Sequence, residues 1–135
     1  MMMLNSTDLR NQNNVVYQLA EERDGARRWY LVRDLGATFG ETGLYRPRRN
    51  YLQGFERHGF IRGVDHGYVR FEFHGLQQEL IRQISPADVR WMADLLGRLS
   101  VSQWHDAFRA AGYPSEIADR YIAKLHEKVE AGRGL

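Results

Sequence analysis

The sequence predicts an α+β fold in which two β-hairpins are followed by a helical subdomain. Short β-type runs pair off around turn-forming dipeptides, Asp24-Gly25 and His66-Gly67, in the first half. Helix-start signals head apolar stripes of helical period in the second half. A hydrophobic content of 43%, with 3 Trp, 7 Tyr and 6 Phe, provides the material for a core. The 135 residues are read as a single domain, 1–135, with hairpins and loops over 1–75 and helices over 76–135.

Val15-Val16-Tyr17-Gln18-Leu19 is the first β-type run, and the polar Glu21–Gly25 segment turns the chain. Trp29-Tyr30-Leu31-Val32 is the second run; apolar on both faces, it has the pattern of a buried strand. From Gly36 to Gly54 glycine and arginine dominate without a period, which predicts a long loop of the kind that usually serves function. Phe60–Val64 and the alternating Tyr68–Phe73 form the second hairpin. A short helix is expected near Leu76–Ile84. The next starts at Ser85, with Pro86 at its first position, Asp88 in its first turn and a stripe of Val89, Met92, Leu96 and Leu99. Another covers about Ser102–Ala111 and stops at Gly112. The last begins near Pro114-Ser115, buries Ile117, Tyr121, Leu125 and Val129, and ends at Gly132. Trp91, Trp104 and Phe108 are assigned to the interior of this half.

No apolar run is long enough to cross a membrane, and Met1–Asn5 has no leader pattern, so the default compartment is the cytoplasm. Cysteine is absent, which excludes disulfides and thiolate metal sites. A formal charge of +2 is too small to argue for nucleic acid. The last helices also fit a helix-turn-helix reading, but Glu116, Asp119, Glu127 and Glu130 nearly balance Arg120, Lys124 and Lys128, which disfavours DNA. His58, His66 and His74 do not share a helix face at metal-binding spacing. Arg46, Arg48 and Arg49 form a basic cluster in the long loop.

Two motifs carry chemistry. Asp8-Leu9-Arg10-Asn11-Gln12-Asn13 precedes the first strand, and Asp34-Leu35-Gly36 follows the second. Both lie at the open end of one hairpin, so folding should hold Asn13 and Asp34 side by side. An amide oxygen and a carboxylate so placed are hard ligands suited to magnesium, and a second carboxylate, Asp8, would face an attacking hydroxyl. Gly36 and Gly40, with Gly43, are candidates for a phosphate-cradling loop.

These motifs resemble the D-L-K-x-x-N catalytic loop and D-F-G segment of protein-kinase-like phosphotransferases. Arg10 stands where lysine is common and Leu35 where phenylalanine is common. Asp34-Leu35-Gly36-Ala37-Thr38-Phe39-Gly40 also resembles the D-L-G-A-T-F-G segment of a group of largely uncharacterised bacterial proteins. The resemblance implies a truncated kinase-like C-lobe that binds Mg-ATP and passes a phosphoryl group to a hydroxyl acceptor. It implies Asp8 as base, Arg10 beside the transferred phosphate, Asn13 and Asp34 as Mg2+ ligands (Asn14 if the register slips), and Gly36 and Gly40 near the nucleotide. The Asp8 motif leaves no room for a preceding lobe, and lysine first occurs at Lys124. The lobe is therefore expected to need a missing N-lobe segment or a partner chain. Without its underlying helices it should expose Val15, Tyr17 and Leu31 and form a homodimer or aggregate. The competing expectation is a non-catalytic scaffold of the same fold. Asp34–Thr38 also resembles the D-L-G-G-T loop of sugar-kinase and actin-like ATPases, but the Arg46–Arg49 segment stands where another strand should follow.

Overall fold

The computed structural model describes residues 1–43, 48–75 and 77–135, apart from the side chain of Asn11. Among the described residues the chain is α+β, with two small antiparallel hairpins and five α-helices. Short 3-10 turns at Met2–Leu4 and Asn11–Asn13 lead into β1 (Asn14–Arg23) and β2 (Ala26–Val32). Then come α1 (Leu52–Arg57), β3 (Ile61–Asp65), β4 (Tyr68–Phe71), α2 (Gln78–Ile81), α3 (Pro86–Leu96), α4 (Val101–Ala110) and α5 (Ser115–Arg133).

Both hairpin turns use positive φ. Asp24 and Gly25 sit at φ 51° and 75°, and His66 and Gly67 at 50° and 81°. That sequence of left-handed residues matches the right-handed twist of the strands it joins. The helix starts are equally local. Ser85 and Asp88 form a reciprocal capping box at α3, and Ser100 and Gln103 form another at α4.

Helix α5 is the central element, packed against α3, α1, α4 and the N-terminal turn. One side of it closes an aromatic cluster in which Phe39, Phe55, Phe108 and Tyr121 meet at centroid distances of 5.3–5.8 Å. The other side joins Val129 to Met3, Phe60, Val69, Val89 and Ala93. A third, smaller cluster unites Leu9, Phe73 and Ile81. Lys128 is fully buried between the first two: its Nζ donates to Asn5 Oδ1 (2.6 Å) and Met3 O (3.2 Å) and lies 4.3 Å from the Phe55 ring centroid. Burial lowers its pKa to about 7.

Three expectations are corrected. The 29–32 run is not buried: Trp29 is 37% and Leu31 43% exposed, because no other element covers the β1–β2 ribbon closely. Trp91 is 62% exposed, since it falls outside the face of α3 made by Val89 and Ala93; Met92 and Leu99 of the anticipated stripe are also exposed. Residues 36–54 are not wholly loop, because α1 begins at Leu52. The short helix expected near Leu76–Ile84 is present as α2, Gln78–Ile81; Leu76 itself lies outside the described residues. No helix is long and apolar enough to cross a membrane among them.

Candidate functional site

The open end of the first hairpin gathers the predicted residues. Asn14 pairs with Val32, and one step beyond the strands Arg33 N donates to Asn13 O at 2.9 Å. Asn13 therefore stands opposite Arg33, with Asp34 the next residue along. The approach to β1 is pinned from both sides. Thr7 N donates to Ala37 O (3.2 Å) and Phe39 N to Leu4 O (2.9 Å), which ties the segment before Asp8 to the segment after Asp34. Leu9 is buried against Phe73 and Ile81, so its flanking residues Asp8 and Arg10 turn away from that cluster. Full burial of such a side chain stabilises by roughly 1.5–3 kcal/mol, enough to fix the posture of a short loop.

Asp8 and Arg10 form a forked ion pair: Nε to Oδ1 at 2.7 Å and Nη2 to Oδ2 at 2.6 Å. The Arg10 side-chain bond, followed by a weaker backbone bond from Arg10, holds the Asp8 carboxyl below its ordinary range. Asp8 is only 15% exposed, so most of the carboxylate is committed to this pair. Arg10 is correspondingly held further on the protonated side, chiefly by Asp8, and Asp34 is close enough to add to it. Asn13 Nδ2 is buried with no hydrogen-bond partner. It lies near enough to Asp8 to help lower that carboxyl, yet it makes no well-aligned bond. The neighbouring Asn14 is spoken for: its Nδ2 donates to Arg10 O (3.0 Å), and its Oδ1 accepts from Tyr30 OH (2.5 Å). Of the two amides, Asn13 is thus the one with unused capacity.

Asp34 Oδ1 accepts from Gly36 N at 2.7 Å, an Asx-type turn that aims the segment away from β2. A Cβ at position 36 would sit 3.0 Å from that same oxygen. Gly40 has a different reason to be glycine. A Cβ there would meet the Arg48 carbonyl oxygen at 1.8 Å, where Glu41 N bonds to it (3.1 Å). Gly36 is therefore next to the Asp34 carboxylate, whereas Gly40 closes the following loop by backbone approach. Arg46 of the basic cluster lies outside the described residues, while Arg48 stacks over Tyr51 (4.9 Å to the ring centroid).

Among the described residues no group of three or more His, Asp or Glu side chains is arranged to hold a metal. His58 is satisfied otherwise: Nδ1 donates to Gly59 O (2.7 Å), which leaves Nε2 to accept from the Thr42 hydroxyl (2.5 Å). Asn13 and Asp34 are one amide and one carboxylate, too few for a closed protein cage; magnesium is the cation that keeps several waters and takes its remaining ligands from substrate phosphates.

Sequence reasoning missed Leu9 as the anchor of the loop. The alternation of Asp8, Leu9 and Arg10 was a usable signal, since an apolar residue between two charges faces away from both. It also missed Asn50, whose Oδ1 accepts from Tyr113 OH (2.6 Å) and Tyr121 OH (3.3 Å) and ties the post-Asp34 loop to α5. No family model, characterised protein or solved structure matches this chain.

Proposed function

We propose that the chain is a kinase-like phosphotransferase lobe that binds Mg-ATP at the open end of the first hairpin, with a hydroxyl compound as the acceptor. One observation supports the reading: the β1–β2 register sets Asn13 opposite Arg33, one residue before Asp34, at the open end of the hairpin. In this reading Asp34 and Asn13 hold the magnesium ion, which supplies charge neutralisation of the donor phosphates. Gly36, by the Asp34 oxygen, lets a phosphate approach the backbone, and Arg10 faces the transferred group. Asp8 accepts the acceptor's proton only after Arg10 lets go of it, because a carboxylate held low by a forked guanidinium is a weak base. Turnover accordingly requires a lobe or partner chain that draws Arg10 away.

The same ion pair favours a second reading, a non-catalytic module that binds Mg-nucleotide through Asn13 and Asp34 and keeps Asp8 occupied. Nucleotide binding tests what the two readings share. Mg-ATP should raise the melting temperature of the wild type, magnesium-free ATP should not, and Asp34→Ala should abolish the shift. No shift at any magnesium concentration would exclude both. Phosphoryl transfer to added acceptors, measured with and without a supplied kinase N-lobe, then separates them.

A further inference from the structure

A cleft whose lining holds none of the Asp8–Asp34 site residues lies on the second hairpin. The β3–β4 hairpin and α2 enclose an open cleft of about 970 Å³, a volume in the range of small-molecule sites. Its rim carries Arg62, Arg70 and Arg82, and its floor is made of Phe71, Phe73 and Ile81. A bulge in the ladder produces this rim. Ile61 pairs with Phe71, but Gly63 pairs with Arg70, so Arg62 is the extra residue and lines the same cleft as Arg70. Gly63 accepts the bulge at φ 154°.

The charge count of the rim is specific. Arg70 is neutralised by Asp65, with Nη2–Oδ2 at 2.6 Å and Nε–Oδ2 at 3.1 Å. Arg62 and Arg82 are exposed and have no ion pair or side-chain hydrogen bond among the described residues. No carboxylate is among the described residues that line the cleft. Two uncompensated guanidiniums over an aromatic and aliphatic floor call for a ligand with two negative charges and an apolar body. Hydrogen bonds brace the walls. Val69 N donates to Ile84 O (2.8 Å), Gln78 Nε2 donates to Gly75 O (3.1 Å), and His74 N donates to Thr42 Oγ1 (3.1 Å).

We infer that this cleft binds a small phosphomonoester, with its phosphoryl group on Arg62 and Arg82 and its apolar body on Phe71, Phe73 and Ile81. The site is independent of magnesium and of the proposed nucleotide site. Phenyl phosphate is the probe, titrated into magnesium-free protein by calorimetry and by amide shifts in the β3–β4 hairpin. The expected result is saturable binding about tenfold or more tighter than that of inorganic phosphate, which lacks the apolar body, and of benzoate, which has one charge. Arg62→Gln with Arg82→Gln should weaken phenyl phosphate binding at least about tenfold without changing the melting temperature, since neither side chain holds the fold. Asp34→Ala should leave it unchanged. Absence of saturation, equal affinity for the three anions, or insensitivity to the double substitution overturns the inference. Loss of binding in Asp34→Ala would place the phosphate at the hairpin end instead and overturn it as well.

Discussion

Lys128 should make stability climb with pH over an unusual range. The lysine is fully buried, and its pKa falls from 10.5 to about 7, mainly through desolvation, with Lys124 adding to the fall and Glu127 opposing it. His58 and the Met1 α-amino group are further titratable neighbours, each lowered by burial and in part by Lys128. Between pH ~7 and ~10 the unfolded chain keeps a proton that the native state has released, so unfolding becomes harder as pH rises, by up to ~1.4 kcal/mol per pH unit. The whole displacement corresponds to roughly 4–5 kcal/mol at neutral pH. The bonds to Asn5 and Met3 and the Phe55 ring favour the ammonium, which brings the expected penalty nearer to about 2–4 kcal/mol. That penalty is fully present below pH ~7 and vanishes above ~10.5. Lys128→Met removes it at every pH but orphans Asn5 Oδ1, a pH-independent loss of about 1–3 kcal/mol. The assay is urea unfolding of both proteins, followed by tryptophan fluorescence in steps from pH ~7 to ~10. Wild type should gain on the variant at each step, starting level or less stable and finishing ahead. Tyr121, pushed up to about 12 by burial, affects both proteins alike. Parallel pH profiles would show that the ammonium is tolerated without cost and would refute the reasoning.

Three further outcomes follow from particular contacts. Arg10→Gln should let the Asp8 carboxyl rise toward its ordinary value, seen by carboxyl NMR titration; an unmoved Asp8 would mean that Arg10 does not hold it down. Because a lowered carboxyl stabilises only above its unfolded pKa, the variant should also lose less stability than wild type as the medium is acidified. Gly132→Ala should destabilise by about 1–3 kcal/mol despite the better helix propensity of alanine, because its Cβ would meet Ala93 Cβ at 3.0 Å and Met3 and Val89 at 3.3 Å; a rise in urea midpoint would contradict this. Trp29→Arg with Leu31→Lys should reduce self-association in sedimentation velocity while barely moving the melting temperature, since both residues share the exposed ribbon face with Tyr17 and Val15; association that persists unchanged would clear that face of the role.

Local chemistry made much of the fold legible. Asp24-Gly25 and His66-Gly67 marked both hairpins because few residue pairs accept two consecutive positive φ values, and Ser85 marked a helix start through its own side-chain bonds; Ser100 caps α4 in the same way, two residues before the expected start at Ser102. What stayed hidden depends on neighbours distant in sequence. Helix α1 carries an internal Gly54, which lowers its intrinsic propensity; it exists because Leu52 and Phe55 reach the aromatic cluster on α5, and Gly54 itself is required by the approach of Glu41 and Tyr51. The 29–32 run reads as buried because apolarity is a property of the sequence, while coverage is a property of what else folds nearby. At the candidate site the hairpin reading put Asn13 and Asp34 at neighbouring strand ends, and the backbone there pairs Asn13 with Arg33; no spacing rule could foretell that Asp8 would close on Arg10 two residues away.

Leu9 has one more consequence. Its side chain shares a cluster with Phe73 and Ile81, which are also floor residues of the arginine-rimmed cleft, so the backbone that displays Asp8 and Arg10 rests on the back of that cleft's wall. Trimming Leu9 would therefore remove packing from the loop and from the cleft wall in one step. A single leucine thus seats two segments far apart in sequence on one cushion.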